Sequence, residues 1–486
     1  MEGIPFNPQA GYTLSTITEA DCQKIHQATL DVFQEVGVGV FSEKAMEIFA
    51  DHGADVDRSH NVVKIPQTLV EKALASVPSQ VTLCARDPEN DFVMGNDHFT
   101  LSNFGEGVFV RDPYTGERRK SLKIDNDRAI RVLDALNNIG VVKRPLICHD
   151  VPTVTKDLHS AQSVFLNTSK HFSVSSSSPY ITGILADMLE LLNGDKKELL
   201  KRPLCTLSIC PVSPLQLTEH NCDITISGAQ YGFVLNICPM DMAGGTSPVH
   251  LAGTMVQHNA EVLSAVILSQ LVRPGTPVLY GSTSTNLDLR TGGTTVGSPE
   301  FVLLNTGLIQ LARWYNIPSR MAGAYVDSKV PDAQFGIEAA LSTALVGLGG
   351  ANLLHGIGTL ESLMLLDYGV LVIDNEIAEM IKVIMKGIEV NDTTLSLDII
   401  KDVGIRGNYL SHQSTGKHAR SFMQPQLMNR QHFDLWEKAG GRDLHAVALE
   451  TAVDIIENHQ VLPLDDGVEK AMDEIIAKAE KELGVK

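Results

Sequence analysis

Two textures alternate along the chain. Short charge-poor runs rich in β-branched and aromatic residues give way to longer stretches in which apolar side chains recur every third or fourth position. The clearest unit runs from Phe233 to Ser282: FVLNICPM, a break at DMAGGTSP, a helical stretch from about His250 to Leu271, a break at RPGTP, then VLYGS. This reads as strand, loop, helix, loop, strand. The helix is apolar at Leu251, Met255, Val262, Val266 and Leu271, and the flanking runs are nearly uncharged, as strands covered on both faces are. Two parallel strands joined by a crossover helix follow.

The unit recurs. FTLSNF, VVKRPLICH, HFSVSS, PLCTLSICP, FVLNICPM, PVLYGS, SRMAGAYV and NLLHGIG are each followed by a helical pattern, near residues 126–138, 153–168, 179–192, 215–231, 250–271, 299–315, 332–348 and 363–386. Strict strand-helix alternation of this kind predicts a closed (β/α)8 TIM barrel over residues 81–387. The stretch around its first unit also admits a small β-meander. Residues 1–80 predict an N-terminal helical extension, with caps at Ser15 and Thr18 and a glycine stop at Gly37. Residues 388–486 predict a C-terminal helical extension packed on the barrel.

Composition narrows the partners. With 39 basic against 58 acidic residues the net charge is −19, which disfavours nucleic acid and anionic membrane and suits cationic or neutral ligands. No apolar run reaches the roughly 18 residues that span a bilayer, and the first residues lack a signal-peptide pattern. Seven cysteines without a CxxC spacing fit a reducing compartment. A cytoplasmic protein is therefore expected.

In such a barrel the working residues lie at the carboxyl ends of the strands. That rule selects Asn103, Phe104, Gly105 and Glu106 after the first run, His149 and Asp150 after the second, Ser175 to Ser178 after the third, Cys210 and Ser213 after the fourth, Met240 and Asp241 after the fifth, Thr283 and Ser284 after the sixth, Asp327 and Ser328 after the seventh, and His355 with Glu361 at the eighth. Each has a plain structural reading as well: His355 as a satisfied core histidine, Asp327 and Glu361 as helix caps. The glycine-dense loops MAGGTSP, RTGGTTVG and GIGT lack phosphate-loop spacing, and the SVSSSS run lacks a GxSxG context. There is no HExxH and no His, Cys and Asp grouping at ligand spacing, so no metal site is expected.

Several long blocks carry a resemblance: SPVHLAGTMVQHNAEVLSAVILSQLVRPGTPVLYGS, DLRTGGTTVGSPE, DSKVPDAQFGIEAA, GANLLHGIGTLES and LVIDNEIAEMIKVIMKGIEV. From about Leu14 to about Pro463 the chain resembles the trimethylamine methyltransferase family of corrinoid-dependent methyltransferases. The resemblance implies a (β/α)8 barrel that moves a methyl group from an amine to the cobalt of a separate corrinoid protein. No cofactor would be bound permanently; the corrinoid (cobalamin) is supplied by the partner protein. The trimethylamine branch carries pyrrolysine near the loop after the seventh strand, where this chain reads DSKVPDAQ, around Lys329 or Val330. Members without pyrrolysine demethylate quaternary amines such as glycine betaine, proline betaine and carnitine, and this chain resembles that branch. GIRGNYLSHQSTGKHAR near the C-terminus departs from the family's glycine- and threonine-rich pattern.

The resemblance gives the candidate residues roles. A quaternary nitrogen is already a competent leaving group, so the protein's task is positioning, which falls to Asp327 and His355. Phe104 is expected to make a cation–π contact, while Glu106, Asp327 and Glu361 make the mouth negative. His355 and Asn103 would hold a substrate carboxylate, and Met240 and Gln334 complete the substrate-binding set. A homo-oligomer is expected on general frequency. Two other classes are weighed beside this one: a non-catalytic binding protein for quaternary ammonium compounds, and a barrel lyase or isomerase acting on a small acid. The last would need a base, and Lys329 is the lysine read at a strand end.

Overall fold

The structure, a computed structural model, describes residues 4–5, 14–95 and 98–485. Eight parallel strands close into a barrel: β1 (His98–Asn103), β2 (Ile139–Lys143), β3 (His171–Val174), β4 (Cys205–Ile209), β5 (Val234–Ile237), β6 (Val278–Ser282), β7 (Ser319–Ala322) and β8 (Leu353–Ile357). Neighbours pair in chain order, and the ring shuts where Leu354 of β8 faces Leu101 of β1. Eight helices follow the strands: α1 (Lys123–Ala135), α2 (Lys156–Asn167), α3 (Pro179–Asn193), α4 (Glu219–Tyr231), α5 (Leu251–Val272), α6 (Pro299–Trp314), α7 (Ala333–Leu348) and α8 (Tyr368–Met385). Strands β3, β5, β6, β7 and β8 are buried at every position, which their nearly uncharged sequences permit. Among the described residues no helix is long and apolar enough to cross a membrane.

The amino-terminal end of the barrel is sealed. A hairpin of Val81–Leu83 and Phe92–Met94 lies across it and packs Val81, Leu83, Phe92 and Met94 against Val141, Val234, Leu279 and Leu353 from four strands.

The N-terminal segment differs from the helical extension expected over residues 1–80. It holds helices Glu19–Asp31, Glu43–Asp51 and Gln67–Ser76, but also short strands Val38–Val40, Asp55–Asp57 and Val62–Lys64. These strands form a sheet with Gln216–Leu217 from the loop after β4. VGV, DVD and VVK are only three residues each, too short for a period-two signal to stand out beside the helices. All three helices pack on α5. Covered outside as well as inside, α5 is buried well beyond the single apolar face read from its sequence, and Asn259 joins it to the extension by donating to Thr29 Oγ1 at 2.9 Å.

At the other end, Leu444–Asn458 packs on α8 and α1, and Val468–Glu482 on α2 and α3. The intervening 388–443 carries only short helical turns and long exposed stretches. The loops after β1 and β8 share a four-stranded sheet, Thr359–Leu360, Leu365–Leu366, Phe109–Arg111 and Arg118–Lys120, so the suspected β-meander lies above β1 rather than within it. Those after β5 and β6 share a three-stranded one, Met242–Ala243, Thr285–Asp288 and Gly293–Thr295. Both small sheets stand on the carboxyl side of the barrel.

Candidate active site at the barrel mouth

A cavity of about 470 Å³ opens at the carboxyl ends of the strands. Five of its polar lining residues come from the strands themselves: Lys143 ends β2, Ser208 lies in β4, Asn236 in β5, Arg320 in β7 and His355 in β8, while Glu106, Ser213, Thr246 and Thr283 come from the loops. Its apolar lining, including Phe104, Met240, Tyr325 and Leu363, comes from the loops that follow. The site is thus polar at its floor and aromatic and aliphatic toward its mouth.

The aromatic wall is rigid. Phe104 meets Tyr325 edge-on at 5.7 Å between ring centres, and Phe301 stacks on Tyr325, also at 5.7 Å. The Tyr325 hydroxyl lies 3.0 Å from His355 Nδ1, and His355 Nε2 lies 3.3 Å from the Ser282 carbonyl. Gly356 allows this close packing. Its φ is +136°, and a Cβ there would lie 2.3 Å from the Tyr325 ring and 2.1 Å from the Gly323 carbonyl. Gly105 does the same for Lys143, whose Cε would lie 2.5 Å from an added Cβ.

Charge in the site is arranged unevenly. Glu106, held at a positive φ of 74°, accepts hydrogen bonds from Arg144 at 2.9 Å and from Ser175 Oγ at 2.8 Å. Burial works to raise its carboxyl, but the charges of Arg144 and Lys143 and those hydrogen bonds outweigh it and hold the group well below the usual carboxylate range. Arg144 also binds Asp157 at 2.6 Å. Arg320 is different: it is 2% exposed, and its Nε and Nη2 have no hydrogen-bond partner among the described residues. Asn236, fully buried, has both side-chain polar atoms unpartnered, as has the Ser208 hydroxyl. Burial pushes the Lys143 ammonium down, and burial together with the Arg320 and Lys143 charges pushes His355 well below its ordinary value.

Of the residues expected from the sequence, the structure brings Phe104, Gly105, Glu106, Cys210, Ser213, Met240, Thr283 and His355 to this cavity. The others lie outside its lining. The Asn103 amide, expected to meet a substrate carboxylate, instead donates to the Phe104 and Lys143 carbonyls at 2.5 and 2.8 Å and accepts from the Lys143 N–H at 2.9 Å, tying β1 to β2. Asp327 accepts from the Val296 and Gly297 amides and from Ser362 Oγ at 2.7 Å, which braces neighbouring loops. Gln334 donates to Glu338 on the surface of α7. Glu361 forms a two-point pair with Arg118, so its charge is neutralised at the rim. The lysine at a strand end is Lys143, not Lys329, whose ammonium reaches the Asp327 carbonyl in an exposed turn.

Lys143, Ser208, Asn236, Arg320 and Tyr325 are among the lining residues that the strand-end rule passed over. The available signal was polarity inside runs otherwise free of it: VVKR, FVLNI and SRMA each place a charge or an amide in a strand covered on both faces.

Comparison with known proteins agrees with this architecture. The family model of trimethylamine methyltransferase (MTTB) matches residues 7–484. The chain is 41% identical to the trimethylamine methyltransferase MttB of Desulfitobacterium hafniense, over 98% of this chain and 96% of that one. It is 39% identical to the MttB of Methanosarcina barkeri, over 98% and 97%, and 33% identical to a glycine betaine methyltransferase of Desulfitobacterium hafniense, over 96% and 98%. Among solved structures, the monomethylamine methyltransferase MtmB of Methanosarcina barkeri shares the fold, with a TM-score of 0.51 at 10% identity over 95% of this chain and 96% of that one. Its complex with hydroxylamine gives a TM-score of 0.53 over the same shares, again at 10% identity. The chain is a methyltransferase and belongs to the trimethylamine methyltransferase family.

Proposed function

We propose that this enzyme transfers a methyl group from a quaternary amine to Co(I) of a cognate corrinoid protein. The observation that carries the reading is the cavity itself: a pocket at the barrel mouth whose upper wall is made of the faces and edges of Phe104 and Tyr325, with Met240 and Leu363 beside them and the ionised Glu106 on its side. A trimethylammonium group is large, weakly hydrated and permanently positive, and aromatic faces attract it without needing a hydrogen bond. The glycine betaine methyltransferase relative supports the choice of a quaternary rather than a tertiary amine.

The corrinoid is a second substrate, and it supplies a nucleophilic Co(I) electron pair. In the transfer the C–N bond breaks with its electron pair left on nitrogen, a C–Co bond forms, and a neutral tertiary amine departs. The protein's residues contribute orientation and exclusion of water. Phe104, Tyr325 and Met240 hold the ammonium head at the upper wall so that one methyl faces the mouth, and His355 fixes Tyr325 in place. Orientation of this kind lowers a barrier by several kcal/mol, up to about 7–11 in the best cases. Exposed Val154, Val212, Val249, Leu289, Val330 and Met364 stand on the loops after six of the strands and offer an apolar rim for the corrinoid protein.

The test is direct. The purified enzyme is incubated with Co(I) cobalamin and a panel of quaternary amines, and formation of methylcobalamin is followed by absorbance. Methylation by at least one quaternary amine, faster than by trimethylamine, is expected. Transfer from trimethylamine alone, or from none of the panel, defeats the reading.

A further inference from the structure

Behind the cavity wall lies a pair of carboxyls that the reaction above does not use. Asp241, on the loop after β5, and Glu261, on α5, are 0% and 1% exposed, and a single nitrogen, Gln257 Nε2, donates to both, at 2.7 and 3.0 Å. Asp241 has a further partner in His258 Nδ1 at 3.1 Å. The other described partners of Glu261 are neutral: the Leu215 N–H, 2.8 Å from Oε1, and the Ser213 hydroxyl, 2.8 Å from Oε2. Ser213 lines the cavity, so Glu261 stands one hydroxyl behind its wall. Titratable groups on other elements packed against α5 are turned elsewhere, Asp223 of α4 to Ser42 and His26 of helix Glu19–Asp31 to Tyr315. Burial first, and the Asp241 carboxylate second, raise the Glu261 carboxyl from 4.5 to about 8. Since Oε1 accepts from Leu215 and Gln257, the proton of the neutral acid sits on Oε2 and is donated to Ser213 Oγ.

We propose that Glu261 is the counter-charge of the cationic substrate, neutral in the empty site and ionised, with its proton released to solvent, once a quaternary ammonium group occupies the cavity. Among the described residues lining that cavity the carboxylate is Glu106, which Arg144 already engages, while Lys143 and Arg320 add positive charge. A permanent cation brought into such a setting favours ionisation of a carboxyl one hydroxyl away. The hydrogen bond to Ser213 then reverses: the hydroxyl donates to the carboxylate, and its oxygen lone pairs are left to face the ammonium. A neutral tertiary amine exerts no such pull. Glu261 therefore takes a proton back when the methyl has gone, and the site holds substrate more firmly than product. The inference rests on the quaternary-amine reading above, and it makes Glu261 a positioning residue that acts through Ser213.

The experiment is calorimetric binding of tetramethylammonium, without any corrinoid, to wild type and Glu261→Gln. It is run at about pH 7 in phosphate and in MOPS, whose unlike heats of ionisation count the protons exchanged. Wild type should release about half a proton or more per ligand bound. Its affinity should rise about tenfold between about pH 6 and about pH 9, because the ionised form binds the cation and is the more abundant at high pH. In Glu261→Gln the amide can donate to Ser213 and accept from Leu215 as the neutral acid does, yet it cannot ionise. That variant should lose at least about half of both the proton release and the pH slope, which a residue that only held the fold would leave in place. If it does not fold, Ser213→Ala serves: it removes the donor that ionised Glu261 needs and should cut the release by about half or more. Failure of tetramethylammonium to bind, binding without proton release, or a release that survives undiminished in Glu261→Gln and so belongs to Lys143, overturns the proposal. Glu261-dependent proton release on binding, without methyl transfer to Co(I), would sink the catalytic reading and leave the counter-charge standing. Methyl transfer from a quaternary amine whose binding releases no proton would do the reverse.

Discussion

His355 and Tyr325 are joined by a hydrogen bond whose direction the surroundings dictate. The Ser282 carbonyl can only accept, so His355 Nε2 bears the proton that reaches it at 3.3 Å. Nδ1 is then the acceptor, and the Tyr325 hydroxyl donates to it at 3.0 Å. Burial, first, and the nearby Arg320 and Lys143 charges keep the imidazole neutral, which preserves this arrangement. Tyr325→Phe leaves a buried acceptor unpaired and should destabilise the fold by about 1–3 kcal/mol in urea unfolding. His355→Ala should raise the Michaelis constant for a betaine about tenfold, because it frees the ring that forms the upper wall. Unchanged kinetics in His355→Ala would remove this pair from the working site.

Phe104 is only partly buried, so its ring is available to a ligand. Phe104→Ala should weaken binding of a quaternary ammonium by about 0.5–2 kcal/mol in calorimetry, with a small change in melting temperature. A large fall in melting temperature at unchanged affinity would assign the ring to packing alone.

At Gly356 the space is already taken. An added methyl meets the Gly323 carbonyl and the Tyr325 ring, and the backbone sits at φ +136°. Gly356→Ala should therefore cost more than about 1 kcal/mol of stability and reduce substrate affinity together, through displacement of Tyr325. Urea unfolding and calorimetry on one preparation would check both, and full affinity in the variant would show that Tyr325 need not hold its place.

Asp374 on α8 accepts from the Gly358 amide at 2.8 Å, just beyond β8. Burial, opposed by that hydrogen bond and reinforced by Asp367, raises its carboxyl from 3.8 to about 8. The folded protein thus keeps a proton that the unfolded chain releases. The favourable contribution is full below about pH 4, falls as pH rises, and is gone above about pH 8. Asp374→Asn removes this slope, so its melting temperature should gain on wild type between pH 4 and pH 8. Parallel profiles for the two proteins would mean that Asp374 does not titrate in this window.

The barrel was legible because its signals are local and repeated. FVLNICPM and PVLYGS announce buried strands by lack of charge, and the 3.6-residue period between them announces α5. The N-terminal strands escaped because three residues carry too little periodicity, and they hold by pairing with one another and, at Val38–Val40, with Gln216–Leu217, far along the chain. The site was half legible for a related reason. Position at a strand end is readable, so Phe104, Glu106, Met240 and His355 could be picked out; direction is not. Asn103 sits at the right end of β1 but turns to Lys143's backbone, whereas Arg320, inside β7, points to the cavity. Whether a polar group in a strand faces the lumen or a neighbour depends on register across the barrel, which no single segment encodes.

The hairpin across the amino-terminal end has a kinetic consequence. With Phe92 and Met94 stopping that end, the barrel is a cul-de-sac, and traffic in both directions passes one doorway. In the proposed reaction the amine must be aboard before the cobalt-bearing partner docks, and the spent amine stays trapped until that partner lifts away. Turnover would then follow a compulsory order, with undocking as the gate on product escape.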